Sequence, residues 1–180
     1  GKTTLLNLIS TIDSATSGTI TIDGQRPEEM TKTELALFRR RQLGFVFQDF
    51  NLLQMLTVEE NLVLPLTLDS IPIDEMKKRI KELAKKLDLD QILEKRPNEI
   101  SGGQAQRTAI GRALIHKPTF ILADEPTGNL DSKASRDVLE LLVKVNQEQK
   151  TTILMVTHDP IAASYCDRVI FIKDGEFFNE

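Results

Sequence analysis

The chain has 180 residues, of which 40% are hydrophobic and 28% charged, and its formal net charge is −4 at pH 7. This length and composition are typical of one globular unit with a well-buried core. The negative balance excludes a global basic field that would attract nucleic acid or anionic lipid. The single cysteine, Cys166, excludes an internal disulfide framework. No apolar run approaches the roughly eighteen residues that a membrane-spanning helix needs, so any membrane role must come through a partner.

The first four residues, Gly1-Lys2-Thr3-Thr4, are followed by the apolar residues of a helix. They match the end of the phosphate-binding pattern G-x-x-x-x-G-K-[ST]. An ordinary helix start with a solvent-facing lysine explains the same residues. Because the chain opens inside a recognisable loop, we expect it to be a fragment that lacks the first half of that loop and the strand before it.

Three elements are predicted between residues 18 and 48. Residues 18–24 (GTITIDG) alternate between apolar and polar side chains, which predicts a half-buried antiparallel strand. Residues 31–43 form a helical pattern that ends in three arginines, where cations compensate the helix dipole. Residues 44–47 (GFVF) predict a short apolar strand, and Gln48 follows directly.

The region from residue 49 to about residue 99 has a different character and predicts a helical insertion. Residues 57–68 are apolar and contain Pro65, and residues 72–87 place their apolar side chains on one face of a helix. The lysines of this second stretch are most simply its solvated face. The region lacks the Gly/Ser/Pro richness of a linker.

Residues 100–131 (ISGGQAQRTAIGRALIHKPTFILADEPTGNLD) are the most informative stretch. Ser101 and Gln104 have the spacing of a capping box at a helix start. A capping box does not require Gly102 and Gly103, because each glycine weakens a helix by roughly 1 kcal/mol. Two glycines there suit a backbone that approaches a bulky anion. Residues 119–123 predict a strand buried on both faces, which delivers Asp124 and Glu125 to its carboxyl end, where open α/β sheets bind ligands.

The last fifty residues continue the alternation of helix and strand. A helix is predicted over 132–146, a buried strand over 151–156, a short helix from Pro160 and a last strand over 168–172. His158 follows the buried strand, and Asp174-Gly175 is a hairpin signal. Strands that alternate with helices indicate an α/β fold with a mostly parallel sheet.

Each of these motifs has an ordinary structural explanation, but together and in order they resemble the ATP-binding domain of ABC transporters. The matching motifs are the end of the Walker A loop at Gly1–Thr4, the Q-loop at Gln48, the signature at Ile100–Gln104, Walker B at Phe120–Glu125, the D-loop at Asn129–Asp131 and the switch histidine at His158. The resemblance implies a P-loop NTPase with a RecA-like core, an antiparallel β portion and an inserted α-helical subdomain. The implied division is a first part of the core over 1–48, a helical subdomain with the signature over 49–115 and a second part of the core over 116–180.

The resemblance also implies the chemistry, which is hydrolysis of ATP with Mg²⁺. The implied catalytic residues are Glu125 as general base, His158 and Gln48, and the implied Mg²⁺ ligands are Thr3, Gln48 and Asp124. The nucleotide would be held by Gly1, Lys2, Thr3 and Thr4 of one copy and by Ser101, Gly102, Gly103, Gln104 and Asp131 of a second copy. The two copies would therefore pair head to tail. Adenine recognition is not assigned to any residue of this chain.

The implied partner besides a second copy is a membrane permease, which would place the protein at the cytoplasmic face of the membrane without inserting it. The permease would contact residues 49–62, where Phe50, Leu52 and Leu53 serve either this contact or the core. The ATPases of macrolide export and lipoprotein release, and within that group the bacitracin-type antimicrobial-peptide transporters, are the most similar subgroup. An ABC ATPase that regulates a membrane complex, such as a cell-wall hydrolase system, would carry the same residues. A DNA-repair ABC ATPase is excluded, because residues 49–100 contain no sustained heptads.

Overall fold

A three-stranded parallel sheet organises the computed structural model, which describes residues 1–178. Its strands are β1 (Leu43–Phe47), β2 (Phe120–Asp124) and β3 (Thr152–Val156), in the order β1-β2-β3. The helices are α1 (Lys2–Ile9), α2 (Lys32–Gln42), α3 (Val58–Leu68), α4 (Ile73–Lys86), α5 (Gly102–Leu114), α6 (Ser132–Gln149) and α7 (Pro160–Ala163). Strands β4 (Phe171–Lys173) and β5 (Glu176–Phe178) form a separate antiparallel pair. The predicted α/β class is confirmed.

The register of the sheet brings its three carboxyl ends level with one another. Phe47 pairs with Asp124, and Asp124 pairs with Val156. Parallel strands need helical crossovers, and the helices that follow each strand supply them. The residues that come next in the chain, Gln48, Glu125 and Thr157, therefore share one edge of the sheet.

Four of the longer helices, α2, α3, α5 and α6, begin where side chains satisfy free backbone N–H groups of the first turn. Three capping boxes open α2, α3 and α5, and they pair Thr31 with Glu34, Thr57 with Glu60 and Ser101 with Gln104. Asp131 caps α6 through hydrogen bonds from Lys133 and Ala134. The predicted capping box at Ser101 is confirmed.

One hydrophobic cluster joins the sheet to α3, α4, α5 and α6. Its fully buried members include Val46, Ile121 and Ala123 of the sheet together with Leu62 of α3 and Ile110 of α5. The sheet and the helical region therefore bury apolar surface against each other, which is the main stabilising term for a domain of this size. The division of the chain at residues 48 and 115 stays a prediction.

The predicted strand over residues 18–24 is wrong. Asp23 (φ 49°) and Gly24 (φ 73°) turn the chain back on itself, so that Ile22 meets Gln25 in a single antiparallel bridge. The alternation has a different cause, because Ile22 is buried against Phe38 and Leu43. Among residues 1–178, nothing else pairs with this segment, and an unpaired strand is not stable.

The predicted hairpin at Asp174-Gly175 is confirmed. Both residues have positive φ (53° and 87°), as a two-residue turn of this hand requires, and they join β4 to β5. The last strand begins at Phe171 rather than at the predicted residue 168. In the part of the chain that the structure describes, no helix is long and apolar enough to cross a membrane.

Candidate functional site

The carboxyl ends of β2 and β3 meet the first turn of α1. The Lys2 Nζ donates a hydrogen bond to the Thr157 carbonyl at 2.9 Å and lies 3.8 Å from Glu125 Oε1. Lys2 thus links the helix start to the residues that follow both strands. We call Lys2, Asp124, Glu125, Thr157 and His158 the strand-end site.

The side chain of Glu125 is held by several hydrogen bonds, and it is 17% exposed. Its Oε2 accepts hydrogen bonds from Thr157 Oγ1 at 3.1 Å and from the His158 backbone N–H at 3.4 Å. The Glu125 backbone N–H donates to the Val156 carbonyl at 2.8 Å, beyond the end of the β2–β3 ladder. These contacts fix the carboxylate in one orientation.

The backbone of Glu125 adopts φ 45°, in the left-handed region that a residue with a side chain seldom occupies. Such conformations persist only where surrounding contacts impose them, and they concentrate at functional sites. At Glu125 the backbone N–H is held by the hydrogen bond to the Val156 carbonyl. This conformation agrees with the functional role that the sequence motif predicts for Glu125.

His158 reaches Glu125 from the solvent side. Its Nδ1 lies 2.7 Å from Glu125 Oε1, and its side chain is 78% exposed. Because an ionised carboxylate only accepts, the Nδ1 atom carries the proton in this contact. The second ring nitrogen, Nε2, stays free to face another group. An exposed histidine held by a partly buried acid is therefore available to a ligand.

Asp124 ends β2 beside Glu125. Burial raises the pKa of the Asp124 carboxyl, the neighbouring charge of Glu125 raises it further, and Lys2 lowers it. Two adjacent carboxylates repel each other, and a cation relieves that repulsion. The site therefore favours a cation beyond Lys2 next to Asp124.

Gln48 follows β1 and is held by a reciprocal pair of amides. Gln48 Nε2 donates to Asn129 Oδ1 at 3.2 Å, and Asn129 Nδ2 donates to the Gln48 carbonyl at 3.3 Å and to Asp49 Oδ1 at 2.8 Å. A Cβ atom on Gly128 would lie 2.8 Å from Gln48 Nε2, so only glycine leaves room for this side chain. The Gln48 Oε1 atom remains available as an oxygen ligand.

The two signature glycines pack against this chain's own residues. A Cβ atom on Gly103 would lie 3.2 Å from Ala134 Cβ, and one on Gly102 would lie 3.3 Å from Leu130 Cδ2. Close packing of α5 against residues 129–134 thus explains, from within one chain, why glycine occupies positions 102 and 103. The predicted approach of an anion to this backbone is a second explanation of the same two glycines.

Not all the predicted residues come together. Lys2, Glu125 and His158 are in direct contact, whereas Gln48 lies along the same sheet edge and is held by Asn129. Thr3 and Thr4 are exposed on the first turn of α1. Within residues 1–178, no hydrogen bond or ion pair joins Ser101, Gly102, Gly103, Gln104 or Asp131 to the strand-end site. These five residues lie instead at the starts of α5 and α6.

Sequence reasoning missed two side chains of α5 that hold the loops of the site. Gln106 donates to the Phe47 carbonyl at 3.3 Å and to the Pro126 carbonyl. Arg112 donates to the carbonyls of Asn51 at 2.6 Å and Phe50 at 3.1 Å. A signal for Gln106 existed, because it stands four residues before Ile110 on the buried stripe of the helix, where a polar side chain must find partners.

The sequence predicts that the apolar residues after Gln48 serve either a permease contact or the core. The structure buries some of these residues and exposes others. Leu52 is buried against Ala105 and Ala109, which confirms the core alternative for this residue. Leu53 and Met55 are exposed, Met55 by 80%. The exposed apolar surface of this region is therefore smaller than the sequence indicates.

The side chains predicted to bind Mg²⁺ fit that ion by their chemistry. Thr3, Gln48 and Asp124 offer a hydroxyl, an amide oxygen and a carboxylate, which are hard oxygen ligands. No group of three or more His, Cys, Asp or Glu side chains among residues 1–178 is arranged to hold a metal. A site with one carboxylate suits Mg²⁺, which keeps several waters and is completed by substrate phosphates.

Comparisons with known proteins agree on one family. The sequence profile described as "ABC transporter" matches residues 1–128. The chain is 61% identical to the ABC transporter ATP-binding protein YxdL of Bacillus subtilis, with all of this chain and 70% of that protein aligned. It is 52% identical to the bacitracin export ATP-binding protein BceA of Halalkalibacterium halodurans, again over the whole chain and 71% of that protein.

Solved structures lead to the same family. The dimeric post-hydrolysis structure of the ATP-binding cassette MJ0796, bound to ADP and Pi, superposes with a TM-score of 0.87 at 42% identity. MJ0796 comes from Methanocaldococcus jannaschii. The alignment covers 99% of this chain and 79% of that one.

Proposed function

The chain belongs to the ABC transporter family as an ATP-binding subunit and ATP hydrolase, and from this premise we propose that it drives a membrane permease that exports peptide antibiotics. The observation that carries the catalytic part is the fixed Glu125 carboxylate, which lies between Lys2 and His158. The peptide-antibiotic part is supported by the 52% identity to a protein named for bacitracin export.

The proposed phosphate site is the first turn of α1. The free N–H groups of this turn and the helix dipole favour an anion there. Lys2 adds a full positive charge that neutralises the β- and γ-phosphates. Thr3, Gln48 and Asp124 would hold Mg²⁺, which would neutralise charge on the phosphate oxygens.

Glu125 is the proposed general base. It removes a proton from the water that attacks the γ-phosphorus, while the bond to the bridging oxygen of the leaving ADP breaks. Thr157 Oγ1 and the His158 backbone N–H both donate to Oε2, whereas Oε1 accepts from His158 Nδ1 and keeps a second lone pair for the water. His158 Nε2 faces the γ-phosphate and Gln48 positions the water.

The proposed second half of each active site comes from another copy of the chain. Ser101, Gly102, Gly103 and Gln104 present the start of α5 to the nucleotide of the partner, and Asp131 lies at the same face. Dimeric cassette structures among the solved relatives support a self-pairing of this kind. The proposed permease contact includes Leu53 and Met55, and it places the protein at the cytoplasmic face of the membrane.

The test of the catalytic assignment is Glu125→Gln in the full-length protein. The amide cannot accept the proton, so we expect ATP turnover to fall by about a hundredfold or more, with nucleotide affinity retained and an ATP-bound dimer accumulating. Glu140→Gln, which changes an exposed acid of α6, is the matched control and should leave turnover intact. Undiminished hydrolysis in Glu125→Gln would refute the general-base role.

The transported class is tested separately in cells. Deletion of the gene should increase sensitivity to peptide antibiotics, and Glu125→Gln should fail to restore resistance while Glu140→Gln restores it. Unchanged sensitivity together with a defect in cell-wall hydrolysis would instead assign the ATPase to a regulatory membrane complex.

A further inference from the structure

Gln106 connects two loops of the site from inside the protein. It lies on α5 with no exposed surface, and its Nε2 donates to the carbonyls of Phe47 and Pro126. Phe47 immediately precedes Gln48, and Pro126 immediately follows Glu125. One buried amide therefore holds the main chain next to both residues.

The chemistry of this contact is specific for the two carbonyls. The amide nitrogen has two N–H bonds, and each is directed at one carbonyl. The other half of the side chain, Gln106 Oε1, is buried without a hydrogen-bond partner. A buried acceptor without a partner is costly, so packing alone would favour an apolar side chain here. The donors are what make a glutamine useful at this position.

Arg112 holds the loop that contains Gln48, at residues that follow Gln48 in the chain. Its guanidinium donates to the carbonyls of Phe50 and Asn51, two consecutive residues with φ of 61° and 48°. Left-handed backbone in two adjacent non-glycine residues needs external support. Gln106 and Arg112 therefore fix the main chain before and after Gln48 to a single helix.

We propose that Gln106 and Arg112 are positioning residues that make α5, Gln48 and Glu125 move as one body, so that displacement of the signature end of α5 is transmitted to the catalytic residues. This inference rests on the proposed function, in which that end of α5 contacts the second nucleotide. The geometry supplies the link, because Ser101–Gln104 and Gln106 lie within the first two turns of the same helix.

The test compares Gln106→Met with Thr151→Val in the full-length protein. Methionine keeps the volume and loses both donors, whereas Thr151 is a buried residue that donates to the Pro118 carbonyl at the opposite edge of the sheet. Both variants lose a buried hydrogen bond to a proline carbonyl. We expect Gln106→Met to lower kcat by about tenfold, with the KM for ATP and the nucleotide Kd within about twofold of wild type. Thr151→Val should retain the wild-type kcat per folded molecule.

A second readout separates positioning from stability. Because Gln106 acts partly through Gln48 and partly through Glu125, adding Gln106→Met to a Gln48→Ala variant should lower kcat by clearly less than the roughly tenfold effect that it has alone. Multiplicative effects in the double variant would overturn the proposal. Arg112→Met, at a less buried position, carries the same expectation and serves if Gln106→Met folds poorly.

The outcomes also distinguish this inference from the function on which it rests. A wild-type protein that hydrolyses no ATP would refute the proposed function. A wild-type enzyme with normal turnover, combined with a Gln106→Met or Arg112→Met variant whose kcat per folded molecule is unchanged, would overturn only the positioning role.

Discussion

Gln48 occupies its place because Gly128 lacks a side chain. A Cβ atom at residue 128 would lie 2.8 Å from Gln48 Nε2 and 2.9 Å from its Cδ. The φ of Gly128 is not in the left-handed region, so the backbone itself would accept alanine. The restriction at this position comes from the neighbouring side chain alone.

We therefore predict that Gly128→Ala displaces Gln48 and lowers kcat by about tenfold. Gln48 is exposed and can move into solvent, so the free energy of unfolding should change little. Steady-state hydrolysis and denaturant unfolding measure the two quantities.

Gly44→Ala provides the contrasting control. Its Cβ would lie 2.8 Å from the Ala113 carbonyl oxygen, which belongs to a backbone that cannot move aside easily. This variant should lose stability and keep its kcat per folded molecule. Wild-type kcat in Gly128→Ala would show that the place of Gln48 is not needed for turnover.

The residues of the strand-end site could be predicted from sequence, but the backbone conformation and hydrogen bonds that hold them in place could not. Asp124 and Glu125 follow a short apolar run that is typical of a buried strand. Their position at the carboxyl end of a strand could therefore be predicted. The φ of Glu125 and the donors at Thr157 depend on the β2–β3 register, which spans 32 residues of chain. The burial of Gln106 could be predicted from its place on the apolar stripe of α5, but its partners could not, because they are backbone carbonyls and any residue supplies one.

At the scale of elements, Asp69 ties α2 to the end of α3. Its side chain is 5% exposed and pairs with Arg40 and Arg41, each at 2.8 Å. Hydrogen bonds from Arg41 and then Arg40 hold the pKa of the Asp69 carboxyl below its usual value, against the effect of burial. The arginines that end α2 thus do more than compensate its dipole, which is the role that the sequence indicated.

We predict that Asp69→Asn destabilises the protein by about 1–2 kcal/mol at pH 7, because charge-assisted hydrogen bonds are lost. The pKa is lowered in the folded state, so this stabilisation is complete above the unfolded-state pKa of about 4 and disappears as the pH falls through the lower folded value. The difference in unfolding free energy between wild type and variant should therefore shrink toward pH 3. Urea titrations at several pH values measure it.

Glu75→Gln is the control for this prediction. It removes the exposed pair between Glu75 and Arg79 within α4, also at 2.8 Å, and should change stability little because surface pairs are screened by solvent. A loss in Asp69→Asn that persists unchanged at low pH would show that the charge of Asp69 is not its cause.

The helices were more predictable than the strands because their signals are local. Thr31, Thr57 and Ser101 each pair with an acid or amide three residues later, and such caps can be read directly from the chain. A strand depends on a partner that is often distant in sequence, as β2 is from β1. The alternation at 18–24 looked like a strand because Ile20 and Ile22 face the core, yet no second strand is present there among the described residues.

At the scale of the whole molecule, the predicted residues separate into two groups. Lys2, Glu125 and His158 meet at one end of the sheet, whereas Ser101 and Asp131 cap α5 and α6. In the head-to-tail dimer that we propose, a two-fold axis places the second group of each copy against the first group of the other. Sequence reasoning reached this division through the family resemblance, since spacing alone does not reveal which residues act in a different copy.

Head-to-tail pairing makes a strict prediction for mixtures of two inactive variants. Lys2→Ala removes the phosphate-binding charge, and Ser101→Ala removes the hydroxyl that α5 presents to the partner's nucleotide without adding bulk that would prevent docking. Each variant alone should be inactive, because both of its composite sites contain a defect. In a mixed dimer both defects fall in one site, and the other site combines an intact Lys2 with an intact Ser101.

An equal mixture should therefore recover about one quarter of the wild-type turnover, since half of the dimers are mixed and each has one of two sites intact. ATP hydrolysis after co-refolding measures the recovery, and light scattering with ATP measures the dimers that form. Lys2→Ala mixed with Glu125→Gln is the matched control. Those two residues belong to the same half-site, so every composite site in that mixed dimer carries one defect and no recovery is expected. Equal recovery in both mixtures, or none in the first despite mixed dimers, would show that Ser101 does not complete the partner's site.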